Sequence, residues 1–86
     1  MQKPIFAQYV FSETYRNSRN EEETVSVVLE IQYDRKSYNI LPIHLKHKEF
    51  KFLNGSANAT IKWKYMFTAM NRANEFAIKE LSEIRE

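Results

Sequence analysis

The chain has 86 residues, of which 43% are hydrophobic and 14% aromatic, and it carries a formal net charge of +2. This length allows a single domain, and the content of large apolar side chains is too high for a disordered chain. The absence of cysteine excludes disulfides and cysteine-based metal sites. Together with the lack of a signal-peptide pattern it favours a cytoplasmic location. No apolar run is long enough to span a membrane.

The first half of the chain predicts three strands. Apolar and polar side chains alternate over residues 5–15 and 24–33, a period of two that is typical of half-buried strands. A polar stretch without glycine or proline joins them, for which we expect a wide, mobile loop. Residues 34–37 then predict a hairpin turn. Residues 38–43 predict a third strand, with Pro42 at its end or at a sheet edge.

The second half predicts a short strand and a long helix. Over residues 49–53 two phenylalanines alternate with charged side chains, which favours a fourth strand. From residue 59 to 85 the hydrophobic period changes to 3.6, which predicts one helix with Asn58 or Thr60 as its N-cap. Asn74 lies on the apolar face, where a buried amide needs hydrogen-bond partners. That face is expected to hold Trp63, Met66, Phe67, Met70, Ala73, Ala77, Ile78, Leu81 and Ile84.

The helix has to cover the apolar face of the sheet, because no other element in the chain is able to do so. The sequence therefore predicts an α+β fold in the order ββββα, a four-stranded antiparallel sheet packed against one long C-terminal helix in a single domain.

No enzyme motif is evident in the sequence. It contains no nucleophile elbow, no glycine-rich phosphate loop and no spacing typical of metal ligands. The two histidines, His44 and His47, are too few for a zinc site, which takes three or four ligands, and neighbouring lysines would repel a cation. We therefore expect a protein that is not an enzyme and that uses no cofactor and no metal.

Positive charge is concentrated in the middle of the chain. Residues 35–64 carry seven lysines and arginines and one acidic residue. Residues 1–34 carry three lysines and arginines and six acidic residues. Aromatic side chains are interleaved with these cations, a combination found in proteins that hold single-stranded nucleic acid. We predict a basic rim formed by the 34–37 turn, the 44–48 loop and the helix start. Its candidate nucleic-acid-binding residues are Arg35, Lys36, Lys46, Lys48, Lys51, Lys62 and Lys64.

An alternative interpretation is that these lysines are ordinary solvated residues and that the interleaved aromatic side chains belong to the core. The low net charge of the whole chain argues against a strong non-specific binder of nucleic acid.

A second apolar stripe is predicted on the helix, on the side away from the main apolar face. It includes Ala69 and Arg72, and its candidate dimer or partner residues are Ile61, Tyr65 and Phe76. Such a stripe on a long helix indicates that another surface covers it. We therefore expect a homodimer that forms through the helix or through a sheet edge. The alternative is that a curled sheet buries more than half of the helix circumference.

The predicted order of four strands and a helix resembles one repeat of the PUR and whirly types of single-strand-binding protein, which work as paired ββββα units. The resemblance is one of topology, assigns no site residues and favours contact with nucleic acid. The composition, rich in lysine, asparagine and isoleucine, suits a bacterial or phage source. Two functions stay open: a nucleic-acid-binding module, or a protein-interaction or inhibitor module that acts as a homodimer.

Overall fold

The computed structural model describes residues 4–43 and 57–83, with side chains in the second range described from residue 61 onward. Within these ranges lie three strands, β1 (Phe6–Arg16), β2 (Glu22–Gln32) and β3 (Ser37–Pro42), and one long helix, α1 (Ala57–Ser82). The strands pair antiparallel in the order β1-β2-β3, and α1 packs on one face of the sheet. The α+β prediction is confirmed for three strands and the C-terminal helix. The strand predicted over residues 49–53 lies outside the described residues.

β1 and β2 form an eleven-residue ladder in which Phe6 lies opposite Gln32 and Arg16 opposite Glu22. The predicted alternation of side chains in both strands is confirmed, and the strand bounds differ from the predicted ones by one or two residues. One face of the sheet is covered by α1, and no element among the described residues packs on the other, here called the open face. The apolar side chains of β2 on the covered face are at most 1% exposed. They are Val25, Val27, Leu29 and Ile31.

Val28 breaks the pattern of apolar and polar positions in β2. Its side chain lies on the open face, yet it is only 6% exposed. The register explains this burial, because Val28 lies between Val10 of β1 and Leu41 of β3. The open face therefore carries one apolar row across the three strands, flanked by polar side chains.

The connection between β1 and β2 is a short hydrogen-bonded turn and not the wide loop that its composition suggested. The side-chain oxygen of Asn17 accepts hydrogen bonds from the backbone N–H groups of Arg19 (2.9 Å) and Glu21 (3.0 Å). The backbone N–H of Asn17 donates to the Glu21 carbonyl at 2.9 Å. Asn20 has a φ of 61°, a conformation that asparagine tolerates better than most residues. The side chain of Asn17 and the backbone conformation of Asn20 thus take the place of the glycine and proline expected in a tight turn.

The hairpin turn between β2 and β3 lies within one residue of its predicted position. The Lys36 N–H donates to the Tyr33 carbonyl at 3.3 Å, and Lys36 has a φ of 50°. β3 then runs along the other side of β2 and ends at Pro42. In the described sheet β3 is an edge strand. A proline is tolerated at the side of such a strand that faces away from β2, because no hydrogen bond of the ladder is lost there.

α1 runs antiparallel to β1 across the covered face. Near its start Tyr65 stacks on Tyr15, at the end of β1, with ring centroids 4.7 Å apart. Further along, Phe76 lies 4.8 Å from the ring of Tyr9, near the start of β1. Among the described residues, no helix combines the length and the hydrophobicity that crossing a bilayer requires. Since α1 begins at Ala57, the predicted caps at residues 58 and 60 lie inside its first turn.

The buried face of α1 is centred on small residues. Ala69, Ala73, Ala77 and Met66 are fully buried against the sheet. Three alanines spaced four residues apart let the helix backbone approach the sheet closely, because they carry only a methyl group. Asn74 flanks this row, and its side-chain oxygen accepts a hydrogen bond from the hydroxyl of Tyr38.

The predicted orientation of α1 is partly wrong. Phe67 and Ile78, assigned to the main apolar face, are each 55% exposed. Conversely, Ile61, Tyr65 and Phe76, expected to face away from the sheet, are partly buried and pack against its core. The helix is rotated towards β1 because the alanine row defines the line of closest approach. Bulky side chains on its β1 side then fill the space above that strand.

Candidate functional site

The structure places the described members of the predicted basic rim at opposite ends of the domain. Arg35 and Lys36 are exposed in the turn after β2. This turn adjoins Tyr33, whose hydroxyl donates to the Glu80 carboxylate at 3.1 Å, near the end of α1. The cations of the turn therefore lie beside the C-terminal end of the helix.

Lys62 and Lys64 lie at the other end, near the start of α1. The amino group of Lys64 is 5.9 Å from the ring centroid of Tyr65, the residue that stacks on Tyr15. Sixteen or more helical residues separate these lysines from Glu80, which at ~1.5 Å per residue corresponds to about 25 Å. The described cations therefore do not form one continuous rim. Lys46, Lys48 and Lys51 lie outside the described residues.

An acidic side chain faces the lysines at the helix start. The Glu23 carboxylate accepts hydrogen bonds from the Tyr15 hydroxyl (2.6 Å) and from the Asn17 amide (3.0 Å). These hydrogen bonds, with smaller attractions from Lys62 and Arg19, hold the pKa of Glu23 below its usual range. Burial and the hydrogen bond to Glu23 raise the pKa of Tyr15, so its hydroxyl stays protonated. Part of the positive charge at this end is thus compensated within the chain.

The residues predicted for a dimer or partner surface line the side of α1 that lies above β1. Phe76 contacts Tyr9 and also Phe11, at ring-centroid distances of 4.8 and 5.6 Å. Ile61 and Tyr65 pack on the same core and are partly exposed. Their first role is therefore to pack within the chain. A role at a partner surface stays a prediction, and it concerns the side of α1 that lies above β1.

β1 forms an edge of the sheet. Within residues 4–43 and 57–83, no strand pairs with its outer side. The Ile5 carbonyl accepts the Tyr33 N–H at 2.8 Å, so the odd-numbered residues of β1 direct their backbone groups towards β2. By the alternation of an antiparallel ladder, the even-numbered residues direct theirs outward. These outward residues are Phe6, Gln8, Val10, Ser12, Thr14 and Arg16.

Arg72 of α1 reaches over this outer edge. Its guanidinium donates to the outward carbonyl of Ser12 at 3.1 Å and forms an ion pair with the Glu13 carboxylate. It also lies over the ring of Phe11, 5.8 Å from the centroid. A charged side chain at a strand edge hinders the addition of another strand. Arg72 therefore closes the edge at Ser12, whereas the N-terminal part of β1 has no strand partner among residues 4–43 and 57–83.

The open part of the edge is uncharged and partly apolar. From Pro4 to Ser12 the sequence holds no charged residue. Phe6 and Val10 project from the open face and are 46% and 62% exposed. Between them Gln8 donates to the Glu30 carboxylate at 2.7 Å. An edge of this kind lacks the lysines and prolines that usually prevent strand addition, apart from Pro4 at its start. It is able to accept a further strand.

Further along the open face, the cross-strand pairs are small hydroxyl side chains. The hydroxyls of Ser12 and Ser26 are 2.7 Å apart, and those of Thr14 and Thr24 are 3.0 Å apart. These pairs satisfy each other across β1 and β2. Among the described residues, no group of three or more histidine, aspartate or glutamate side chains is placed to hold a metal ion.

Sequence reasoning missed two residues that shape this region. Asn17 closes the turn after β1 and anchors Glu23, and Arg72 was noted only as a neighbour of the apolar stripe. A signal for the edge was present, since the stretch from Pro4 to Ser12 holds no charged residue. Comparison of the chain with protein-family models, with curated proteins and with solved structures finds no match.

Proposed function

We propose that this protein is a non-enzymatic protein-interaction module that binds an extended segment of a partner chain along the outer edge of β1. The observation that supports this function best is the open stretch from Pro4 to Val10, which is uncharged and unpaired within the described residues. Adding a strand to an exposed sheet edge is a common mode of peptide recognition, in which backbone hydrogen bonds give affinity.

Side chains on both sides of the edge are able to add specificity. On the open face, Phe6 and Val10 offer apolar contacts to alternate residues of an added strand. On the covered face, the added strand would lie beneath the β1 side of α1, where Tyr65 and Phe76 are partly exposed. The edge therefore presents hydrogen-bonding groups between two apolar surfaces.

The low net charge of the chain favours this proposal over nucleic-acid binding. The full sequence carries 13 lysines and arginines against 11 acidic residues, a formal net charge of +2. Nucleic-acid affinity depends largely on cations that neutralise phosphates. The described cations of the predicted rim are also divided between the two ends of the domain.

Contact with nucleic acid through the 35–64 segment is our second proposal. It is supported by the position of Lys64 over the aromatic ring of Tyr65, in a segment that also holds Lys62 and has a net positive charge. Binding to labelled single-stranded oligonucleotides at two salt concentrations tests it. We expect binding that weakens with salt and is lost when both lysines are changed to glutamate. Binding that survives this change would remove the proposal.

A substitution at the edge tests the first proposal. Val10→Pro removes an outward N–H and adds a ring at the edge, while the bonds between β1 and β2 stay intact, because the Val10 N–H does not point towards β2. Val10→Thr keeps the N–H and the strand propensity and is the matched control. The probe is a display library of short extended peptides, from which binders are selected on the unmodified protein.

We expect Val10→Pro to abolish both the binding of the selected peptides and any self-association of the protein. Val10→Thr should keep both. The proposal fails if neither peptide binding nor self-association responds to Val10→Pro. Circular dichroism of both variants confirms that the fold is unchanged.

A further inference from the structure

We propose that the segment bound at this edge is β1 of a second copy of the chain, paired antiparallel with Gln8 on the two-fold axis. The inference rests on the proposed function, whose partner it names. The two three-stranded sheets would then join into one six-stranded sheet. A dimer of this kind uses the same surface on both copies, as a two-fold axis requires.

The first support is the charge of the edge. In a symmetric antiparallel pairing each residue meets a residue of the same segment, so a charged strand would bring like charges together. The stretch from Pro4 to Ser12 contains no charged residue. The Glu13 carboxylate that follows it is already paired with Arg72. Two copies therefore pair along this stretch without charge repulsion.

The second support is the position of Arg72, which selects the register. Its guanidinium occupies the outward carbonyl of Ser12. A residue opposite Ser12 in an added strand would normally donate its N–H to that carbonyl. With Gln8 on the axis, the residue opposite Ser12 is Pro4, which has no N–H to donate. Arg72 then supplies the hydrogen bond that the proline does not supply.

Neighbouring registers fit less well. With the axis at Tyr9 or Val10, the residue opposite Ser12 becomes Phe6 or Gln8, and its N–H would find the Ser12 carbonyl already occupied. With the axis at Phe6 or Ala7, fewer residues overlap and fewer outward groups are paired. The register with Gln8 on the axis is therefore the longest pairing that leaves no outward N–H without an acceptor.

The side chains on the open face also fit this register. Phe6 of one copy lies directly opposite Val10 of the other, so two half-exposed apolar side chains cover each other on both sides of the axis. An aromatic side chain opposite a β-branched one is a favourable cross-strand pair. Because the axis is perpendicular to the sheet, both helices lie on the same side. Their β1 sides, which carry Phe76, then face one another.

Single cysteines test this register directly, because the chain has no cysteine of its own. Across the axis, two copies of Gln8→Cys would have Cα atoms about 5.5 Å apart, within the range for a disulfide. Two copies of Phe6→Cys, or of Val10→Cys, would be displaced by about 13 Å along the strands and out of reach. Residues 6 and 10 of different copies lie opposite, however. A mixture of these two variants should therefore form the mixed disulfide.

We expect Gln8→Cys to give a disulfide-linked dimer under mild oxidation, and the mixture of Phe6→Cys and Val10→Cys to give the mixed dimer. Each of the latter variants alone should stay unlinked. Sedimentation velocity of the unmodified protein should show a dimer that Val10→Pro converts to a monomer. Cross-linking that is strongest for Val10→Cys alone would contradict the register.

A monomer at all concentrations, with no cross-linking at residue 8, would overturn the inference. Peptide binding that still responds to Val10→Pro would in that case leave the proposed function standing with a different partner. If peptide binding and self-association were both insensitive to Val10→Pro, the proposed function and this inference would fail together.

Discussion

β1 contributes to two regions with opposite character, the covered face of the sheet and the outer edge. On the covered face its side chains pack with those of β2, where Val27 and Leu29 are fully buried. At the outer edge its backbone groups have no strand partner among the described residues, and Val10 is 62% exposed. The strand thus stabilises the fold through one set of residues and offers a binding edge through the other. Substitutions should separate the two roles.

The largest effect is expected at the centre of the covered face. Leu29→Ala removes a fully buried side chain from the middle of β2, which typically costs 2–5 kcal/mol, so we expect a loss of about 3 kcal/mol in the free energy of unfolding. Val10→Thr on the open face should change it by less than about 0.5 kcal/mol. Urea denaturation measures both values. Equal losses would contradict the division of β1 and β2 into a packed face and an exposed one.

A pair of phenylalanines compares the two sides of α1. Phe76 packs on Tyr9 and Phe11, whereas Phe67 is 55% exposed. We expect Phe76→Ala to lower the free energy of unfolding by about 2 kcal/mol, less than for a fully buried ring, and Phe67→Ala to lower it by less than about 1 kcal/mol. Thermal unfolding gives the comparison. A larger loss in the free energy of unfolding for Phe67→Ala than for Phe76→Ala would instead support the helix orientation predicted from the sequence.

Arg72 should affect the edge more than the stability of the fold. Its ion pair with Glu13 is exposed, with 53% of the arginine side chain accessible, so Arg72→Ala should cost less than about 1 kcal/mol. Removing the guanidinium opens the Ser12 carbonyl to strand addition. Cross-linking at Val10→Cys should then increase in the Arg72→Ala background, because registers centred nearer Ser12 become available. An unchanged cross-linking pattern would show that Arg72 does not set the register.

The smallest effect depends on pH and concerns the turn end of the covered face. The folded pKa of Glu23 is lowered by the hydrogen bonds from Tyr15 and Asn17. A depressed carboxyl pKa contributes stability above the unfolded value, about 4.3, and that contribution is lost as the pH falls through the folded value. Glu23→Gln should therefore be less stable than the unmodified protein at pH 7, and the difference should shrink below about pH 4.

The matched control is Glu22→Gln, which changes the same charge at an exposed neighbouring position. The free energy of unfolding is measured from pH 2 to 8 for each variant and for the unmodified protein. The curve of Glu23→Gln should diverge from that of the unmodified protein as the pH rises, whereas the curve of Glu22→Gln should stay nearly parallel to it. A pH-independent difference for Glu23→Gln would mean that the hydrogen-bonded carboxylate has no special role.

Local patterns in the sequence were enough to predict the three described strands but not the rotation of the helix. The alternation in β2 predicted its buried side chains from Val25 to Ile31, because a period of two leaves only two choices of face. On α1 the apolar stripe is wide, and hydrophobicity alone does not mark its centre. The alanines at 69, 73 and 77 count little in such a pattern, yet they define the line of closest approach.

The candidate site depended on geometry that no local pattern contains. The basic rim required the 34–37 turn and the helix start to meet, and α1 runs in the direction that separates them. The open edge depends on which strands are neighbours and on the reach of Arg72 to Ser12, sixty residues apart in sequence. Both features arise from tertiary packing. The sequence contributed the uncharged stretch from Pro4 to Ser12.

Amide hydrogen exchange of β1 at several protein concentrations shows whether the outer edge binds a second copy of the chain. If the outer edge binds a second copy, the outward amides of Gln8 and Val10 should exchange more slowly as concentration rises, while the inward amides of Ala7 and Tyr9 stay protected throughout. Exchange at Gln8 and Val10 that stays fast at every concentration, in a protein that sediments as a monomer, would contradict the account.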